Sequence, residues 1–185
     1  LPALVWHPKT RAESRSRPQQ ARVLATEAGH ALLAPANETE ARVLAALRDK
    51  GGPVSIEDVV SGRGIERIYE TMGSDSADFR WQSAAEIFEQ REHDPVAGAT
   101  VGLFFSFLGL AARALALTTG AQGGVYVAGG IVPRYLSEFS ASPFRSRFET
   151  PAPIGNYLPE IPTFAITHPY PALLGLAAYS QMSFS

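Results

Sequence analysis

Glu27-Ala28-Gly29-His30 places a carboxylate and an imidazole three residues apart around a glycine. A carboxylate accepts hydrogen bonds from hydroxyls, and an imidazole can donate or accept, so the pair can converge on one small polar ligand. The same pattern describes a solvent-facing glutamate beside a structurally satisfied histidine, and local spacing by itself leans toward that plainer alternative. A metal centre is disfavoured, because no third ligand lies nearby. The second suggestive stretch runs from Gly123-Gly124 through Val125-Tyr126-Val127 and Ala128 to Gly129-Gly130, then Ile131-Val132-Pro133-Arg134. β-branched and aromatic residues bounded by glycine read as a short buried strand. Gly129 and Gly130 fall where that strand ends. Backbone without side chains lets a flat ligand approach there, or lets the chain turn with positive φ. Ligands of open α/β sheets gather beyond the carboxyl ends of strands, yet a plain strand-to-helix turn fits the spacing equally well.

These residues need a scaffold, and the composition supplies one. The chain has 185 residues, 45% of them hydrophobic and 18% charged, enough for one compact domain with a core. The net charge of −2 gives no general pull toward nucleic acid or an acidic membrane. The lack of cysteine excludes disulfides, Cys-ligated zinc and thiol catalysis, and fits a reducing compartment. Position 1 is leucine, as expected of a fragment or a processed product, and Leu1–Trp6 is too short for a signal-peptide core. The apolar run from Val96 to Leu117 approaches membrane-spanning length. Its polar flanks carry no excess of basic residues, which favours a buried helix in a soluble domain.

In chain order, residues 3–6 read as the tail of a strand. Residues 7–20, rich in Arg, Ser, Pro and Gln, read as a flexible solvated loop. Ala21–Thr26 reads as a second strand. Asn37 caps a helix over 38–50, with acidic residues in its first turn and Arg48 and Lys50 in its last. Ser55 caps a short helix over 56–60, Ser61–Gly64 breaks the chain, and 65–72 is helical again. A polar loop over 73–78 leads to an amphipathic helix over 83–92. Asp94 and Pro95 then start the long apolar helix, and Gly120 stops it. Helices near 133–140 and 143–148, a strand over 161–167 and a helix over 171–179 complete an α/β chain with a helical insertion.

Several of these stretches together resemble the C-terminal, larger lobe of bacterial glucokinases. Gly123–Arg134 resembles that family's adenosine segment, and Phe139–Glu149 the segment after it. Glu160–Gly175 resembles its terminal strand, turn and helix. Glu27–His30 followed by Ala34-Pro35 resembles its sugar-contact loop, and Val54–Gly64 the short helix that brings a second sugar-binding glutamate. The matches keep the family's order from about Leu24 to Ala178. The resemblance implies that Glu27, His30 and Glu57 hold glucose hydroxyls and that Gly129 and Gly130 line an adenine pocket. It implies a ribonuclease-H-like larger lobe of the actin-like ATPase, hexokinase type, covering residues 1–185. It further implies phosphoryl transfer from ATP, with Mg2+, to the 6-hydroxyl of glucose at the entry to glycolysis. The enzyme would be a cytoplasmic homodimer with no nucleic-acid or membrane partner.

The departures are specific. The family's N-terminal lobe, with its first phosphate loop and the aspartate that acts as general base, has no match here, nor does the second phosphate loop. No catalytic residue and no metal ligand is therefore expected in this chain, which on its own is expected to be inactive. Ala28 stands where the family prefers glycine, Pro151–Ile154 replaces a usually basic stretch, and residues 7–20 have no clear counterpart. Related sugar kinases with a cysteine-rich zinc loop are disfavoured, since no cysteine exists. Two other readings remain: a non-catalytic sugar- or nucleotide-binding module derived from a kinase lobe, and a structural dimerisation domain built on 96–117.

Overall fold

Capping chemistry sets where most helices start. In the computed structural model, which describes residues 4–5, 24–150 and 155–183, Asn37 Oδ1 accepts the N–H of Glu40 at 2.9 Å and opens α1, Glu38–Gly51. Ser55 precedes α2, Ile56–Val59. Ser61 Oγ accepts the N–H of Gly64 at 2.9 Å and opens α3, Gly62–Gly73. Ser83 caps α4, Ala84–Gln90. Asp94 Oδ1 accepts the N–H groups of Val96 and Ala97 at the start of α5, Pro95–Thr119, and left-handed Gly120 (φ 64°) ends it. Each cap satisfies helix donors that have no intrahelical partner. The expected loop over 7–20 and the proline stretch 151–154 lie outside the described residues, as do residues 21–23.

Three short strands, β1 (Leu4–Val5), β2 (Val125–Val127) and β3 (Thr163–Ala165), form a parallel sheet in the order β1-β3-β2. Leu4 lies opposite Phe164, and Val127 opposite Ala165. Between β2 and β3 come α6 (Leu136–Ala141), α7 (Phe144–Phe148) and α8 (Tyr157–Glu160); α9 (Pro171–Ser183) follows. The fold is mixed α/β, as expected. Several boundaries differ, four of them with a visible cause or consequence. Residues 24–26 are exposed and pair with no described strand. α3 begins at Gly62 rather than Ile65. α6 starts at Leu136 because the N–H groups of Arg134 and Tyr135 already bond to Ile131 O in a preceding turn. β3 is shorter than 161–167 because the N–H of Ile161 closes the unexpected α8 on Leu158 O.

α5 explains its own composition. One side of it, including Phe104, Phe105, Ala112 and Ala116, packs into a cluster with α4, α6, α7, α8 and the sheet residues Val127 and Ala165. Its other side, through Leu103, Phe107 and Leu110, packs on Val43 and Leu44 of α1, Val59 of α2 and Ile68 of α3. A helix buried on both sides must be apolar nearly all round. α5 is the one described helix long and apolar enough to cross a membrane by length and composition, and 67% of its most apolar window is buried inside the protein.

Close approach fixes the residue type near the start of α3. A Cβ on Gly64 would lie 2.5 Å from the carbonyl carbon and oxygen of Val59. Only glycine lets α3 begin directly over the end of α2. Gly64→Ala is expected to lower stability by about 1–3 kcal/mol, as overpacking does. Urea unfolding reads it, and an unchanged midpoint contradicts the close contact.

A partly buried polar trio pins α3 to the start of α5. The Tyr69 hydroxyl donates to Asp94 Oδ2 at 2.8 Å and accepts from Gln82 Nε2 at 2.9 Å. Burial, reinforced by the Asp94 carboxylate, pushes the Tyr69 phenol up to about 12. Because this folded value lies above the ordinary tyrosine value of about 10, Tyr69 contributes stability that is fully present below pH 10. That contribution is lost as pH rises toward 12. Stability measured by urea unfolding should therefore fall across this window, and Tyr69→Phe should flatten the fall. An equally steep fall in the Phe variant contradicts it.

Candidate functional site

The site is assembled by a short antiparallel contact. Residues Ala28–His30 form one 3-10 turn, in which the N–H of His30 donates to Glu27 O at 3.0 Å. The chain then runs past the start of α2: the N–H of Ile56 donates to Ala31 O at 2.9 Å, and the N–H of Leu33 donates to Val54 O at 3.2 Å. An isolated bridge pairs Leu32 with Ser55. These bonds fasten the turn to the N-terminus of α2.

α2 in turn has one orientation. Val59 is fully buried and Ile56 nearly so, which leaves Glu57 on the outer face. Asp58 reaches back to the N-cap, accepting from the Ser55 N–H at 3.0 Å and from the Ser55 hydroxyl at 2.7 Å, as a carboxylate at that helix position does. Arg67 of α3 donates to its other oxygen at 2.7 Å. Hydrogen bonds from Ser55 hold the Asp58 carboxyl below the usual carboxylate range, and Arg67 adds to the effect. The clamp consumes Asp58 and leaves its neighbour Glu57 open to solvent.

The outcome is a convergence of three side chains. His30 Nε2 lies 3.7 Å from Glu27 Oε2, and His30 Nδ1 lies 3.7 Å from Glu57 Oε1. Both separations exceed hydrogen-bond length. The side chains of Glu27, His30 and Glu57 are 89%, 63% and 60% exposed, so these pairs add little to stability and leave acceptor capacity for a ligand. Gly29 sits behind them: a Cβ there would be 3.4 Å from Glu57 Oε2, at the near edge of ordinary contact.

Gly129 and Gly130 stand on a separate segment, just beyond the carboxyl end of β2. Gly129 has φ 129°, which an L side chain rarely adopts. A Cβ at either position would meet nothing within 4 Å. The pair is thus an open strip of backbone at the end of a parallel sheet, where a flat group can lie. Gly124, at the strand's other end, has another role: φ is 127°, and a Cβ there would lie 2.9 Å from the Phe164 ring. Among the described residues no group of three or more His, Cys, Asp or Glu side chains could hold a metal ion.

Sequence reasoning brought forward Glu27, His30, Glu57, Gly129 and Gly130 but missed Asp58 and Arg67. The Ser55-x-x-Asp58 spacing is the sequence signal for the first. Nothing local marks Arg67, whose partner lies on another helix.

The comparisons with known proteins follow the same lines. The family model described as Glucokinase matches residues 12–183. A glucokinase from Paramagnetospirillum magneticum is 44% identical over 157 residues, covering 83% of this chain and 49% of the relative. The crystal structure of a glucokinase from an Antarctic psychrotroph superposes with a TM-score of 0.79 at 35% identity, covering 85% of this chain and 50% of that one. A Balamuthia mandrillaris glucokinase, solved in complex with glucose, gives a TM-score of 0.65 at 25% identity, over 80% of this chain and 44% of that one. The chain spans about half the length of the curated relatives it matches.

Proposed function

The chain belongs to the glucokinase family, and on that premise we propose that it forms the sugar- and adenine-contacting lobe of an enzyme that phosphorylates glucose at its 6-hydroxyl. The observation that carries the reading is the placement of His30 between two carboxylates from separate segments, each at 3.7 Å. Carboxylates suit a sugar because each accepts several hydroxyl hydrogen bonds, and charged acceptors bind more strongly than neutral ones. Glu27 and Glu57 accept from neighbouring hydroxyls while His30 donates or accepts between them, and together they orient the ring. A sugar lacking a matched hydroxyl forgoes a hydrogen bond to a charged acceptor and binds more weakly.

Phosphoryl transfer asks a protein chiefly for positioning and charge stabilisation. The open backbone at Gly129 and Gly130 fits the face of an adenine ring, so ATP is the proposed donor. Magnesium supplies charge neutralisation on the phosphates, and no residue of this chain is assigned to it. The ribonuclease-H-like topology, the homodimer, the cytoplasmic location and the place at the entry to glycolysis belong to the same proposal and rest on the family. The general base is assigned to the family's other lobe.

Calorimetric titration of the chain with glucose tests the reading. Saturable one-to-one binding is expected. A folded chain that takes up neither glucose nor another hexose sinks it.

A further inference from the structure

We infer that Glu40 is a positioning residue for the turn that carries Glu27 and His30; the inference rests on the sugar reading above. Glu40 is fully buried in α1. Its Oε2 accepts the backbone N–H of Ala36 at 2.7 Å. Its Oε1 faces Arg147 Nη2 of α7 at 3.2 Å without an aligned hydrogen bond. A buried carboxylate is costly to desolvate, and replacing a whole buried ion pair by apolar residues of similar volume is often neutral or stabilising, whereas removing one partner is destabilising. Core stability alone therefore does not account for an ion pair here. Its one directed side-chain hydrogen bond goes to the segment that connects the sugar turn to α1.

That segment needs an anchor. Of residues 31–36, only Leu33 is even partly buried. The bonds at Ala31 and Leu33 fasten the near end of the segment to α2, and the bond from Ala36 to Glu40 fastens the far end. With the far end released, only the bonds at Ala31 and Leu33 hold the segment, and the distance of Glu27 and His30 from Glu57 is less tightly fixed. Arg147 extends the anchor to the far side of α5. A Cβ on Gly109 would lie 2.9 Å from the Arg147 Cβ, so α7 sits against α5 closely enough for the guanidinium to reach α1. The sugar turn is thereby registered to the helix pair that follows the adenine segment.

Glu40→Leu and Glu40→Gln separate this role from a structural one. Leucine removes the acceptor while filling the space, and glutamine keeps an oxygen for Ala36. Glu40→Met is carried alongside in case the branched leucine does not fit, since methionine adapts to irregular gaps. Far below the unfolding midpoints, Glu40→Leu should weaken glucose binding about 10-fold, and its thermal midpoint should fall, because Arg147 is left without its carboxylate. Glu40→Gln should bind within about threefold of the parent. Amide hydrogen exchange at Ala36 should speed up in the leucine variant and not in the glutamine variant. A leucine or methionine variant with parental affinity and parental exchange at Ala36 overturns the inference. If the parent itself shows no glucose heat, the sugar reading fails, and the exchange rate at Ala36 still decides whether Glu40 holds the turn.

Discussion

Glu57→Ala should weaken glucose binding by about 10- to 100-fold, the equivalent of about 1.5–3 kcal/mol for lost hydrogen bonds to a charged group. The same change should barely move the unfolding midpoint. Glu57 is 60% exposed, and its contact with His30 is a surface pair. The neighbouring Asp58 clamp, which does fix α2, stays intact. Affinity and stability thus part company at this residue. Calorimetry and a thermal melt on one sample measure both. Undiminished affinity in the alanine variant removes Glu57 from the sugar site, and with it the convergence that supports the kinase reading.

Phe88→Ala shows the opposite profile. Phe88 is 1% exposed. It stacks on Tyr135 with ring centroids 3.9 Å apart and meets Phe104 and Phe105 edge-on at 6.3 and 6.0 Å. Truncating a buried phenylalanine costs about 3–5 kcal/mol, a large part of the 5–15 kcal/mol that a domain typically has. The loss should also loosen the segment after Gly130, since Tyr135 belongs to the turn that leads from the glycine pair into α6. Urea unfolding should show a large drop in midpoint. Phe88→Leu, which keeps most of the volume, should lose clearly less. Equal losses in both variants would mean that the aromatic stacking, rather than filled space, dominates.

The two profiles reflect how the molecule is built. α5 lies between two apolar clusters, one joining it to α4, α6, α7, α8 and the sheet, the other to α1 and α2, with α3 contributing to both. Residues of these clusters, such as Phe88, hold the scaffold together. Other residues, such as Glu57, stand outside both clusters on short elements that are held by backbone bonds and caps. Substitutions at the exposed trio should therefore change binding with little change in folding, and substitutions along α5 the reverse.

What the sequence by itself determined is what is decided within a few residues. Asn37, Ser55 and Asp94-Pro95 announce helix starts because a cap bonds donors two or three positions on. Gly120 announces a stop because it adopts a left-handed conformation. The strand Val125–Val127 is legible from its residue types, and the motifs Glu27–His30, Val54–Gly64 and Gly123–Arg134 are legible as a family pattern. What only the tertiary structure decided involves partners distant along the chain. Glu57 meets His30 because Leu32 bridges Ser55, and no periodicity encodes that pairing. Position 64 must be glycine because the Val59 backbone leaves no room for a side chain there. Glu40 reads as one more solvent-facing helix charge until α7 brings Arg147 against it. Local bonds can be read one element at a time; burial and convergence depend on which element lies across the way, and that exists only once the chain has packed.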